Sequence, residues 1–387
     1  MENAAEKPNT GRKAELTRHG FDFPLFIAIL AICAFGLVMM YSASYYYGLT
    51  KMGDGAYFLK RQAIFLGIGM VGLFVLSNIK FTFYRYAAVS ILAYVGVVGL
   101  TFLCLLFSPV NEARRWIPLG FFNLQPTELG KIVLVMVLAN IMSRKVNMQN
   151  FIVGMVPCLI VLVGLCVPTI LQPNFSMVVI YALVTYMMLY IGGTRRSHRL
   201  LLVLTGFAAG AALVIKEPYR LTRILSFMNP EADPTGAGFQ PLQSRIALAN
   251  GGFFGQGLNF SRQKLLFLPE RENDYILAII GEELGFIGIL ALLAAYFFVI
   301  WRCIRIAMNC PDKFGKLFAG GLTGVFALQI IINVGVVAGA LPSTGQTLPL
   351  ISYGGTSMIV FLAAFGILLN ISRYTEVTAK NAKRTKE

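Results

Sequence analysis

The sequence predicts an all-α, polytopic membrane protein with about ten transmembrane helices and one long extracytoplasmic loop between helices seven and eight. Three observations carry this. Charged residues make up 13% of the 387 residues, against about 25% in a soluble domain. The apolar residues gather in blocks of about 18 to 25, the length that crosses a hydrocarbon core of about 30 Å. The blocks are continuous rather than alternating, so helices, not barrel strands, satisfy the backbone inside lipid.

The blocks in order are 24–46, 62–78, 86–107, 126–143, 150–170, 175–192, 200–216, 275–301, 317–340 and 350–372. A polar tail, 1–23, precedes the first. That block is long enough to span, so it is expected to stay as an uncleaved helix despite the small residues Ser42-Ala43-Ser44. The sixth opens after Pro173-Asn174, with Asn174 placed as an N-cap. The eighth opens at Asp274, where a carboxylate suits a helix N-terminus. The domain reading is a tail at 1–23, a transmembrane domain at 24–373 with its outer loop at about 217–274, and a second tail at 374–387.

Lys and Arg fix the orientation. With the N-terminus inside, the inner segments hold 20 basic residues and the short outer loops hold five: Lys51, Lys60, Arg61, Arg114 and Arg115. Positive residues favour the cytoplasmic side, so both termini are expected there. The same distribution explains the net charge of +15 without nucleic acid. The six cysteines form no CxxC pair, and His19 and His198 stand beside basic residues. Packing between helices accounts for the cysteines, and a His/Cys metal site is not expected. There is no GxxxxGK[ST] loop for nucleotide phosphates and no HExxH.

The outer loop is the organisational anomaly, since long irregular loops in compact proteins are usually functional. It carries Pro218, Pro230, Pro234, Pro241 and Pro269, with a glycine cluster at Gly251, Gly252, Gly255 and Gly257. Residues 240–249 are expected to form a short amphipathic helix. The rest reads as irregular.

Ionisable residues in or beside spans are costly and mark function. Glu128 and Lys131 are three apart on helix four and share a face. They suit either a salt bridge that fastens the bundle or a water-filled cavity. Glu270, Glu272 and Asp274 form the densest acidic cluster, with Glu282 and Glu283 deeper in helix eight. Asp274 suits either helix capping or a general base for a substrate hydroxyl. Glu282 and Glu283 diverge by about 100°, so at most one faces a given cavity. Outside, Glu112, Arg114, Arg115 and Trp116 form a polar-aromatic group; two guanidinium groups suit a pyrophosphate, and Trp116 suits an interfacial belt. Gln329 and Asn333 are four apart on helix nine and suit hydrogen bonds to neighbouring helices.

Several ordered motifs then resemble one family. Ala113-Arg114-Arg115-Trp116-Ile117 is followed by Gln125-Pro126-Thr127-Glu128-Leu129-Gly130-Lys131. Residues 244–252 read SRIALANGG, followed by Gly255 and Gly257. Leu268-Pro269-Glu270 leads to Asp274-Tyr275-Ile276 and then to Gly281-Glu282-Glu283-Leu284-Gly285. The last motif is Pro349-Leu350-Ile351-Ser352-Tyr353-Gly354-Gly355. Together, across nearly all of 22–373, they resemble the SEDS family of cell-wall polymerases. Met40-Tyr41-Ser42-Ala43-Ser44 and Ser261-Arg262-Gln263-Lys264 look more like its division members than its elongation members; the sporulation members share much of this pattern. Departures are Glu272-Asn273 for a common His-Thr, Asn174 for a common Asp, Ser176 for Gly and Leu350 for Phe.

The resemblance implies a peptidoglycan glycosyltransferase in the cell membrane, acting at the division septum on lipid II. Asp274 matches the family's essential aspartate. An acceptor 4-hydroxyl would attack the undecaprenyl-pyrophosphate-linked donor with inversion, Asp274 taking the proton. Arg114, Arg115, Lys131 or Lys264 would hold the pyrophosphate, with Gln263, Ser261 and Glu128 in the same cavity. Trp116, Gln125, Pro126, Pro173, Gly251, Gly252, Pro269, Glu270, Glu282, Glu283, Pro349, Ser352, Tyr353, Gly354 and Gly355 are carried as motif positions. No cofactor is certain; a divalent cation, magnesium or manganese, is a candidate, with Asp274 or Glu128 as ligand. The implied partners are a class B penicillin-binding protein, docking its single helix near helices eight and nine, and other division proteins. Alternative readings are a lipid II flippase, a structural recruiter at the septum, or the same polymerase chemistry in elongation or sporulation.

Overall fold

The computed structural model describes residues 20–108, 113–120, 122–144, 147–216, 218–265 and 267–375. Glu112, His19 and most of both tails lie outside the described residues. The protein is a polytopic helical membrane protein. Its helices are α1 (Phe23–Met52), α2 (Tyr57–Asn78), α3 (Ala87–Leu103), α4 (Pro126–Ser143), α5 (Val156–Leu171), α6 (Phe175–Ile191), α7 (Arg196–Lys216), α8 (Pro218–Met228), α9 (Phe239–Gly251), α10 (Ile276–Asn309), α11 (Lys313–Val337) and α12 (Gly355–Ser372). Among the described residues nine are long and apolar enough to cross a membrane, and the 17-residue α6 is a shorter tenth.

The helices sort by burial. In α4, α11 and α12 more than 70% of the central residues are inside the protein, whereas in α7 none are. The first three therefore form the interior, α12 lying along α2 and α11 between α10, α4 and α6. Small residues permit the closest approaches. Gly130 of α4 lies beneath the Tyr181 ring of α6, where any Cβ would collide with the phenol. That phenol donates to Thr127 O at 2.7 Å.

Four differences from the sequence reading are instructive. The last helix starts at Gly355, not 350, because Pro349–Gly354 is an irregular turn with Leu350 at φ 67°. The outer loop is not irregular outside 240–249: α8 and α9 are both helical. The fifth span opens with a π-helical turn, Phe151–Met155, capped by Asn150. The eighth span, α10, runs to Asn309 and is broken at Gly285, whose φ is 69°.

The break in α10 explains the glycine cluster. The N–H groups of Gln256 and Gly257 donate to the Glu282 and Glu283 carbonyls, at 2.9 and 3.0 Å. In return Phe286 and Ile287 donate to the carbonyls of Gly252 and Phe253, at 2.9 and 3.2 Å. The loop thus completes the backbone bonds that the broken helix gives up, as non-helical backbone at this depth requires. A Cβ on Gly255 or Gly285 would collide with the facing backbone.

Candidate active site

The chain reaches Asp274 through a tight turn. Glu270 adopts φ 51°, and its carbonyl accepts from the N–H groups of Asn273 (3.0 Å) and Tyr275 (3.2 Å). Two other segments then hold the backbone. Ser352 Oγ donates to Asn273 O at 2.6 Å, and Tyr353 N to Glu272 O at 2.8 Å. Asn333 Nδ2 of α11 donates to Asp274 O (2.8 Å) and Gln346 O (2.7 Å). The turn at Pro349–Gly355 therefore works as a clamp on residues 272–273.

Asp274 is half-buried where the outer loop meets α10. Gly345 faces its Oδ2, and at φ 69° it holds a backbone conformation that side chains rarely adopt. Removal from water raises its pKa to about 7, helped by Glu270 and Glu272 and opposed by Arg223. Burial likewise raises Glu272, against the pull of Arg271. Sequence reasoning did not single out Arg223. It belongs to α8, where Leu221, Ile224, Leu225 and Met228 repeat at helical spacing, and its Nη1 donates to Ser343 O at 3.1 Å.

Glu282 and Glu283 face different groups, as adjacent helical positions should. Glu282 accepts from Ser261 Oγ and from the N–H groups of Arg262 and Gln263, each at 3.2 Å. Glu283 accepts from Ser42 Oγ of α1 at 2.7 Å and pairs with Lys264 Nζ at 2.8 Å. Lys264 also donates to Asn259 Oδ1 at 2.6 Å. Two buried carboxylates thus moor residues 261–264. Gly251 and Gly252 lie on the same seam, and Pro269 leads into the turn at Glu270.

Glu128 and Lys131 form a buried ion pair at 2.8 Å. Lys131 also donates to Gln329 of α11 and lies 5.0 Å from the Phe361 ring centroid of α12. Gln329 in turn donates to Thr347 O at 3.1 Å. The pair joins the three interior helices, with Gln329 one turn from Asn333, which holds Asp274.

Arg114 and Arg115 occupy a separate neighbourhood. Arg114 Nη1 donates to Leu105 O at 2.9 Å, and Arg115 donates to the Gln172 and Pro173 carbonyls. The half-buried Trp116 leads into a small hairpin, β1 (Ile117–Pro118) with β2 (Asn123–Leu124). Gln125 N, just before Pro126 opens α4, donates to Thr356 Oγ1 of α12 at 3.1 Å. Among the described residues no three His, Cys, Asp or Glu side chains gather to hold a metal ion.

A family model described as a cell cycle protein, covering FtsW, RodA and SpoVE, matches residues 23–377. A probable peptidoglycan glycosyltransferase FtsW of Trichlorobacter lovleyi is 42% identical over 372 residues, covering 94% of this chain and 97% of that one. Stage V sporulation protein E of Bacillus subtilis is 39% identical over 360 residues, covering 92% and 97%. Among solved structures, a chain from work on the structural coordination of polymerization and crosslinking by a peptidoglycan synthase complex superposes with TM-score 0.73 at 26% identity, covering 91% and 98%. The rod shape determining protein RodA of Thermus thermophilus superposes with TM-score 0.66 at 26% identity, covering 92% and 98%.

Proposed function

The chain belongs to the cell cycle protein family of FtsW, RodA and SpoVE, and from that premise we propose that it is a peptidoglycan glycosyltransferase that polymerises lipid II during division. The observation that carries the mechanism is Asp274. Its backbone is held by Asn333 and by the turn that follows α11, and its pKa near 7 is where a general base works best at neutral pH. The acceptor 4-hydroxyl gives its proton to Asp274 as its oxygen bonds to the donor's anomeric carbon. The bond from that carbon to the pyrophosphate oxygen breaks on the opposite side, with inversion and no covalent sugar intermediate.

The leaving pyrophosphate needs cations. Lys131 and Lys264 are each paired with a buried glutamate, so Arg114 and Arg115, nearer the surface, are the better candidates. Arg223 is the cation that acts on Asp274 itself. The polyprenyl tail runs along the apolar flank of the bundle. The tie of Lys131 to Gln329 favours the fastening role for the Glu128–Lys131 pair over a transport cavity.

Both termini are cytoplasmic in this reading, and the protein works at the septum. Its partner is a class B penicillin-binding protein, with other division proteins around them. The peptidoglycan synthase neighbour supports such a pairing. Of the two helices expected near the partner's single span, α11 is mostly interior, whereas α10 exposes Phe286, Leu290 and Phe297. The docking face therefore falls to α10.

The test is polymerisation of purified lipid II by this protein with its partner. Asp274→Asn, folded and partner-bound, is expected to lose about 10²- to 10⁴-fold in rate. Equal polymer from both proteins would refute Asp274 as the base.

A further inference from the structure

At the end of α4 away from Glu128, helices α3, α4 and α5 enclose a groove of 440 Å³. Its walls are apolar, built from Ile91, Val137, Ile160 and Val161. The π-helical turn before α5 supplies Val153 at its mouth. From Val137 to Arg144 the groove follows seven residues of α4, about 10 Å at the helical rise. That is roughly a third of a hydrocarbon core.

The head of the groove is polar and organised. Asn140, buried on α4, donates to Ser90 Oγ at 2.7 Å and Arg85 O at 2.9 Å. Its Oδ1 accepts from Arg144 Nε at 3.3 Å. One amide therefore orients the guanidinium, which leaves both Nη nitrogens without a hydrogen-bond partner among the described residues. Arg144 has no ion pair there either, and no carboxylate lines the groove. The cleft at the start of α1 differs in carrying an acid in its lining, Asp22, which pairs with Arg302 at 2.7 Å.

We infer that the groove holds one acyl chain of an anionic phospholipid of the cytoplasmic leaflet, with its phosphodiester on Arg144. The acyl chain meets apolar walls, and the phosphate meets a fork of donors that fits its oxygens. A zwitterionic headgroup would bring a second cation beside Arg144, with no acid in the groove to receive it. The inference rests on the inside placement of residues 144–149 and is independent of the glycosyltransferase reading.

Native mass spectrometry of the full chain, equilibrated with equal phosphatidylglycerol and phosphatidylcholine, tests this without any activity readout. The wild type is expected to retain one phosphatidylglycerol in preference. Arg144→Gln should weaken that retention about five-fold, the factor for losing one lipid-facing cation, and abolish the preference. Ile160→Trp, at a lipid-facing position, fills the groove and should remove the bound lipid while leaving the protein folded. Equal retention of both lipids by the wild type would overturn the inference. So would phosphatidylglycerol retention unchanged in either variant.

Discussion

Glu270 and Glu272 stand against the charge of Asp274, and Arg223 stands for it. The active base is the deprotonated form, so kcat/KM should rise with pH through about 7. Removing a like charge with Glu270→Gln lets Asp274 ionise more easily and should move that limb to lower pH. Arg223→Gln removes the favourable charge and should move it to higher pH. Measured pH profiles shifting in the same direction would refute this electrostatic account. Asp274 was legible in the sequence because a carboxylate where a loop enters a membrane helix is costly and local. Arg223 was not, because only the fold brings it to a residue 51 positions further along. The same applies to Lys264. Sequence shows a cation in an outer loop; the structure shows its partners, Glu283 on α10 and Ser42 on α1.

At the scale of elements, spans were legible where the apolar run was long and flanked by charge, as in α4, whose expected bounds agree with Pro126–Ser143. Three features were not. The helix α8 is short and sits among prolines, so its periodicity had little room to show. The start of α12 was misjudged because Leu350 and Ile351 are apolar yet buried in a turn rather than a helix. The break in α10 was hidden as well, since a lone glycine in an apolar run usually stays helical. Its consequence is testable. Gly285→Ala places a Cβ at φ 69° against the backbone of Phe253 and Gly255, and should cost about 1–3 kcal/mol. Gly67→Ala, exposed on α2 with open space around it, should instead be neutral or stabilising by about 0.5–1 kcal/mol. Thermal unfolding in detergent separates the two. Equal melting temperatures would mean that the loop does not hold the break in place.

For the whole molecule, the interior helices α4, α11 and α12 meet at the Glu128–Lys131 pair. Lys131→Met would leave Glu128 buried without its partner, a loss of about 3–5 kcal/mol. The double variant Glu128→Gln/Lys131→Met should recover part of it. A thermal scan in which the double variant melts below the single one would contradict the fastening role. That about ten helices are apolar enough to sit in a membrane was readable from the apolar blocks. Which three form the interior was not, because α4, α11 and α12 are no more apolar than α1 or α5, which face lipid over more of their length.

The seam between the glycine segment and α10 also bears on how the protein is made. Each of its four backbone hydrogen bonds joins residues no more than 34 apart, the two widest linking Phe286 to Gly252 and Ile287 to Phe253. All the partners have therefore been synthesised before α11 and α12 exist. The 34-residue α10 would be about 51 Å long if straight, well beyond one bilayer core of about 30 Å. A seam so local in sequence can close before α11 and α12 are made, leaving the outer end of α10 folded back onto its own loop. Asn333 of α11 and the turn before α12, which hold the segment around Asp274, would then dock onto a seam already formed.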